Sequence, residues 1–233
     1  MKKCVVLSGA GISADSGLKT FRDAGGLWEG HRVEDVCTPQ AYAKNPQLVL
    51  DFYNQRRRQA AEALPNAAHH ALAELADHYD VRIITQNVDD LHERAGSRHV
   101  LHLHGQLNKL RSCLDERYVI DWQGDQSLET VDHNGYPMRP HIVWFGESVP
   151  LFGDAVREIR EADVVLVVGT SLKVYPAASL LSYVSPEAEI FVVDPNPQAA
   201  WANMEIIPQN AVTGVPSLVH GEAFRNLALS DSQ

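Results

Sequence analysis

Four side chains that could do chemistry lie close together in this chain: Gln86, Asn87, Asp89 and His104. An imidazole titrates near neutrality, which suits a general base. Two amides and a carboxylate can hydrogen-bond a sugar and an amide. The alternative is an Asx-rich turn capping a helix that begins near Asp90. His102 and His104 would share one face of an extended segment, so a metal pair is a second alternative. It is disfavoured because no Asp, Glu or Cys stands at ligand spacing, with His99 the only other histidine nearby. His69 and His70 fall in a helical pattern and read as surface residues.

A second group is built from glycine. Gly9-Ala10-Gly11-Ile12-Ser13 follows an apolar run and precedes a small-residue, helix-compatible segment. Such a turn can cradle a phosphate: Gly9 and Gly11 let backbone N–H groups approach closely, and a following helix adds its positive end. The alternative is an ordinary tight turn between a strand and a helix. Gly169-Thr170-Ser171 follows a second apolar run and should sit beside the first turn. Thr20, Phe21 and Arg22 open a loop rich in glycine that continues to Trp28, and such a loop can close over a ligand. Arg22 reads as a phosphate contact or a surface cation. Tyr53 and Arg56 are three apart and share a helical face, although Arg56-Arg57-Arg58 also reads as one solvated basic face. Val143-Trp144-Phe145-Gly146-Glu147 resembles an edge strand that could pair with an extended peptide, faced by Val174; Trp144 reads equally as core.

These residues need elements to hold them. Cys4–Leu7, Val81–Thr85, Val164–Val168 and Ile190–Val193 are almost continuously apolar, the pattern of strands buried on both faces of a parallel sheet. Helical patterns lie between them at Pro46–Leu64, Asn66–His78 with Asn66 as N-cap, Phe152–Ala162 and Pro176–Val184. Alternation of the two gives an α/β fold, a Rossmann-like open parallel sheet. Residues 106–140 break the rhythm and read as short antiparallel strands around Tyr118–Trp122 and a turn at Asn134-Gly135, an inserted small module.

The chain has 233 residues, a net charge of −10 and 45% hydrophobic residues, which bounds it to a globular protein of one domain with a sizeable core, or one domain plus a small module. An acidic balance argues against a nucleic-acid surface. No apolar run is long enough to span a membrane, and the charged start leads straight into a strand, so a cytoplasmic location is expected. Three cysteines, far apart, indicate no disulfide framework. Cys4 reads as a small apolar residue of the first strand.

From about Lys3 to Val219 the chain resembles the sirtuins, the NAD-dependent protein deacylases. The motifs are Gly9-Ala-Gly-Ile-Ser13, Thr20-Phe-Arg22, Gln86-Asn-Val-Asp89, His104-Gly105, Val143-Trp-Phe-Gly-Glu147 and Gly169-Thr-Ser171. The resemblance implies one catalytic domain over 1–233, with a larger part at about 1–18, 65–105 and 141–225. A small module at about 19–64 and 106–140 completes it. NAD and an acylated protein lysine would meet between the two parts. It implies NAD contacts at Gly9, Ala10, Gly11, Ile12, Ser13, Thr20, Phe21, Arg22 and Trp28. Further contacts would come from Gln86, Asn87, Asp89, Gly169, Thr170, Ser171, Asp194, Asn196 and Ala211. Asn87 would face the nicotinamide ribose and Asp89 the carboxamide. His104 would be the base that activates a ribose hydroxyl, so that the acyl group ends on ADP-ribose and lysine is freed.

In relatives that remove succinyl or malonyl groups, a Tyr and an Arg at the spacing of Tyr53 and Arg56 hold the acyl carboxylate. A guanidinium and a phenol suit that task. The family places a small Ala sixteen residues before that Tyr; this chain has Cys37. Val143, Trp144, Phe145, Gly146 and Val174 would bind the peptide. Removal of acetyl and succinyl groups is therefore expected. The alternatives are a non-enzymatic NAD sensor, or an NAD hydrolase or ADP-ribosyltransferase. Most sirtuins hold a structural zinc with two Cys pairs. Here residues 106–140 carry only Cys113, which Asp132 and His133 do not supplement, so no zinc is expected. Packing of Tyr118, Ile120, Trp122, Tyr136 and Met138 would hold the module instead. A monomer is expected.

Overall fold

A computed structural model of the protein describes residues 1–19, 27–28 (backbone only), 30–170, 172, 175–197 and 204–229. The expected contacts at Thr20, Phe21, Arg22, Ser171 and Val174, and the Trp28 side chain, lie outside the described residues. In chain order the elements are β1 (Lys3–Ser8), β2 (Leu27–Trp28), β3 (His31–Arg32), α1 (Val33–Val36), α2 (Pro39–Lys44) and α3 (Pro46–Glu62). Then come α4 (Ala67–Glu74), β4 (Asp80–Thr85), α5 (Leu91–Arg94), β5 (Val100–His102), β6 (Gly105–Ser112), β7 (Val119–Asp121) and β8 (Met138–Ile142). The chain continues with α6 (Phe152–Arg160), β9 (Val164–Val168), β10 (Glu189–Val193), β11 (Met204–Ile207), α7 (Ala211–Val219) and α8 (Glu222–Leu227).

Six strands form one parallel sheet in the order β11-β10-β9-β1-β4-β5. β1 alternates across it. Cys4 and Val6 pack under α4 and α7, while Val5 and Leu7 pack under α6 and a 3-10 segment over Ala177–Tyr183. Burying one such Val or Leu contributes roughly 1.5–3 kcal/mol, so both faces of a central strand anchor the layers. Strand order reverses between β1 and β9, which lie side by side. Ligands of open α/β sheets bind at the carboxyl end of such a switch point. Cys4 is fully buried in this core, and burial pushes its thiol up to about 12.

The segment over 106–140 forms a separate antiparallel sheet, β7-β6-β8. It leans on α3, whose start carries a double signal: Asn45 Oδ1 accepts the Leu48 N–H, and Pro46 takes the first helical position. Thr38-Pro39 starts α2 in the same way. Of the expected apolar staples, Met138 is buried, Tyr118, Ile120 and Trp122 are half-buried, and Tyr136 stands 45% exposed at a turn. Polar ties do more of that work. The buried Arg57 guanidinium donates to the Leu107 and Gly124 carbonyls, and Asn54 exchanges hydrogen bonds with the Gln126 backbone. The solvated basic face is thereby corrected: Arg57 is inside, and only Arg58 is an exposed cation, paired with Asp125.

Three further expectations change. The helix after Gly11 is a pair of 3-10 turns, Ala10–Ile12 and Ala14–Ser16, stopped by Gly17 in the left-handed region. Pro176–Val184 is likewise 3-10. His69 is fully buried, because it is the third residue of α4 and turns inward. Its Nδ1 accepts the Asn66 N–H while Asn66 caps the helix; His70 is exposed as expected. Among the described residues, no helix is long and apolar enough to cross a membrane.

Candidate active site

The two glycine turns meet backbone to backbone. The Gly9 N–H donates to the Val168 carbonyl (3.0 Å) and the Gly11 N–H to the Gly169 carbonyl (2.8 Å). Both N–H groups are therefore spent inside the fold, which corrects the expectation that they face a phosphate. The glycines are needed for the close approach instead. A Cβ on Gly9 would stand 2.7 Å from Thr170 Cβ, and one on Gly11 2.7 Å from Gly169 Cα.

Over these turns a polar group converges. Ser13 Oγ donates to Asp89 Oδ2 (3.2 Å) and accepts from Asn87 Nδ2 (3.1 Å). Asp89 Oδ1 accepts the Leu91 N–H, so the carboxylate also serves the start of α5, and the Asx-turn alternative holds alongside the other role. Burial raises the Asp89 pKa, opposed by those two hydrogen bonds. Gln86 Nε2 donates to Thr170 Oγ1 (3.0 Å), bridging the ends of β4 and β9.

His104 follows β5. Its Nδ1 lies 3.1 Å from the Gln86 carbonyl, which can only accept. The proton therefore sits on Nδ1, and Nε2 is left with its lone pair. Burial lowers the His104 pKa, partly offset by that bond, so the ring is neutral at pH 7. Gly105 fixes the next step of the chain at φ +84°, where a Cβ would fall on the His141 carbonyl. His102 does not join His104: its ring bonds the Asn87 carbonyl and Glu93. Among the described residues no cluster of three His, Cys, Asp or Glu could hold a metal.

Tyr53 and Arg56 lie on α3 against the same cavity, whose volume is about 920 Å³. The Tyr53 hydroxyl is buried, accepts a hydrogen bond from the Trp144 indole N–H (3.0 Å) and lies 3.0 Å from Cys37 Sγ. Burial pushes the Cys37 thiol up to about 11. Trp144 is both core and wall: it is 3% exposed and lines the cavity. The expected edge strand at Val143–Glu147 is corrected, since β8 ends at Ile142 and a turn follows. Glu147 folds back to accept the Trp144 N–H, and Arg139 and Arg111 grip its carboxylate. That doubled grip bends the chain away from a strand.

The cavity also reaches Ala10, Asp194, Asn196 and Ala211. Asp194 is buried and accepts the Asn196 N–H, a local turn at the end of β10. Ile12 stands apart, its side chain fully buried in the core. Sequence reasoning missed Val88, Leu107 and Ile142, which give the pocket an apolar wall. The alternation Gly105, Leu107 along β6 was the available signal.

The donor set fits a dinucleotide: hydroxyl, amides and carboxylate above a switch-point turn, with an imidazole base and room for a second molecule.

Comparison with known proteins agrees. The Sir2 family model matches residues 9–176. An NAD-dependent protein deacylase of Aggregatibacter actinomycetemcomitans is 57% identical over 91% of this chain and 98% of its own. One from Helicobacter pylori is 54% identical over 94% of each chain. A solved ADP-ribose complex of a Sir2 homologue variant superposes with a TM-score of 0.88 at 39% identity, over 100% of this chain and 95% of that one. An NAD complex of a Sir2 homologue gives 0.87 at 40%, over 97% and 91%.

Proposed function

Because the chain belongs to the Sir2 family, we propose that it is an NAD-dependent deacylase of protein lysines, acting on acetyl and succinyl groups. One observation carries the reading. A single cavity joins the glycine turns, the Ser13–Asn87–Asp89 group, His104 and the Tyr53–Arg56 pair. NAD, when bound, supplies a sugar carbon that takes the acyl oxygen as nicotinamide leaves.

The chain's own residues do the rest. His104 takes a proton at Nε2 from a sugar hydroxyl, and its neutral form at pH 7 is the form that can do so. Asn87 and Ser13 orient that sugar. Asp89 accepts an N–H from the carboxamide. Val88, Leu107 and Ile142 exclude water from the acyl chain, and Arg56 offers a cation to a succinyl carboxylate. The peptide lies against the Val143–Gly146 turn, whose Val143 and Phe145 N–H groups already donate to the His104 and Cys37 carbonyls. The cleft separates the larger part, about 1–18, 65–105 and 141–225, from the small module at about 19–64 and 106–140. That module needs no zinc, because Arg57, Asn54 and the Arg139–Glu147 pair tie it together; metal analysis finding one zinc per chain would refute this.

The test is to incubate the protein with NAD and an acetyl- or succinyl-lysine peptide and follow free nicotinamide. Release that requires the acylated peptide supports deacylation. Release without peptide points to NAD hydrolysis, and no release to a sensor.

A further inference from the structure

Asn87 is held at three points. Its N–H donates to Thr85 Oγ1 (3.0 Å), its side-chain Nδ2 donates to Ser13 Oγ (3.1 Å), and its carbonyl lies 3.0 Å from His102 Nδ1. The first point is itself braced, because Ser8 Oγ donates to Thr85 Oγ1 and lies 2.9 Å from His92 Nε2. The third point is the unusual one. The other ring nitrogen of His102, Nε2, lies 2.7 Å from Glu93 Oε1. A carbonyl oxygen only accepts, and so does an ionised carboxylate. With both ring nitrogens facing acceptors, each must carry a proton. The ring is then an imidazolium, and its side chain is 5% exposed.

A buried cation is costly unless paired and hydrogen-bonded. His102 has both compensations, and the site gains a fixed positive charge from it. The titratable groups around the ring are Glu93 and His92 on α5, Asp89 on the preceding turn and His141 on β8. Burial pushes both histidines down, so they stay neutral, and Lys109 on β6 acts on Glu93. That leaves Glu93 and Asp89 as the two anions the imidazolium serves. Burial opposes the charge on all three groups. Against it, Glu93 and Asp89 hold the His102 pKa above its usual value, and His102 holds that of Glu93 below its own. For Asp89, whose pKa burial raises, the imidazolium offsets part of the rise.

We propose that His102, held as an imidazolium by Glu93, is a positioning residue that fixes the Asn87 carbonyl and places a fixed positive charge near the Asp89 carboxylate beside the reacting sugar. The proposal rests on the assignment of Asn87 and Asp89 to the cofactor site. His102 touches no substrate; it acts through these two residues. It also gives the paired histidines of the His102-Leu103-His104 segment opposite tasks. One ring is neutral and works as a base, the other is charged and immobile.

The experiment compares wild type, Glu93→Gln, His102→Gln and Asn87→Ala. For wild type and Glu93→Gln, the 15N chemical shifts of the histidine rings are recorded at pH 7.5. For all four, kcat and KM for NAD are measured from pH 5.5 to 9 with an acetyl-lysine peptide, along with ADP-ribose affinity and Tm. The expected spectrum has His102 doubly protonated in wild type and neutral in Glu93→Gln. The expected kinetics are a fall in kcat of about tenfold in Glu93→Gln and His102→Gln, the scale of one hydrogen bond to a charged group. ADP-ribose affinity stays within about threefold, because the glycine turns are untouched. The acid limb of kcat/KM for NAD moves to higher pH, because Asp89 without its cation takes up a proton sooner. A neutral His102 in wild type overturns the proposal. So does an unmoved acid limb, or a lower Tm without that movement, which would make the pair merely structural. If Asn87→Ala keeps full kcat, the site assignment itself falls. If Asn87→Ala loses kcat and the His102 and Glu93 variants do not, only the positioning role falls.

Discussion

Cys37 Sγ and the Tyr53 hydroxyl are 3.0 Å apart, and the same hydroxyl accepts a hydrogen bond from the Trp144 indole N–H at 3.0 Å. The phenol is thus engaged on both sides by protein, within a cavity wall that also carries Arg56. Removing the thiol frees one of its bonds. Cys37→Ala should raise kcat/KM for succinyl-lysine relative to acetyl-lysine, by about the worth of one neutral hydrogen bond, or roughly two- to tenfold. An unchanged ratio would show that Cys37 does not compete for the phenol.

Arg56→Met should cost desuccinylation at least about tenfold more than deacetylation, since only the succinyl chain brings a carboxylate that needs a cation. Both rates are read on the same peptide with the two acyl groups. Equal losses would refute the assignment.

Gly9→Ala should destabilise the fold by about 1–3 kcal/mol in urea unfolding. Its Cβ has no room, with the Gly169 carbonyl oxygen at 2.9 Å as well as Thr170 Cβ at 2.7 Å. The m-value should stay constant. Unchanged stability would mean that the two turns separate at little cost.

Acid should weaken the protein before its carboxylates titrate. Burial drops the His69 pKa to about 4, and drops that of His92 well below its usual value. Both are folded as neutral rings, so their contribution is complete above the unfolded value near 6.5 and is lost as pH falls from there towards 4. Each group can remove up to about 1.4 kcal/mol per pH unit in that window. The His102–Glu93 pair works between two limits. The His102 share is present below the unfolded value near 6.5 and lost as pH rises through its raised pKa, and the Glu93 share is lost as pH falls through its lowered pKa. Urea midpoints at pH 7 and 5 test this. His69→Asn should lose less stability across the interval than wild type, and a parallel loss would exclude His69 as the cause.

The parallel sheet was legible because Cys4–Leu7 and Val164–Val168 are apolar on both faces, and only a doubly covered strand reads that way. β5 and β11 escaped notice: one has three residues with a histidine at its end, and the other carries Glu205 amid four residues. Edge strands bury less and so advertise less. At the site, helical spacing put Tyr53 and Arg56 on one face, but spacing alone also read as a solvated basic face, and only the family resemblance gave the pair a role. The inward turn of His69 was not legible, because its partner is the backbone of Asn66 and no residue type signals that. The turn at Val143–Glu147 was hidden for a similar reason. Its shape comes from Arg111 on β6 and Arg139 on β8, whose shared grip on Glu147 no local alternation signals.

The interlocked bends after β1 and β9 tie the sheet's spine to the floor of the cavity. The Gly9-to-Val168 and Gly11-to-Gly169 bonds join the same peptide units that both serve. Loosening the floor to weaken a ligand would also unzip the two innermost strands. Adjustments of affinity across relatives sharing this junction should therefore arise at the rim, where side chains can change without breaking the backbone seam.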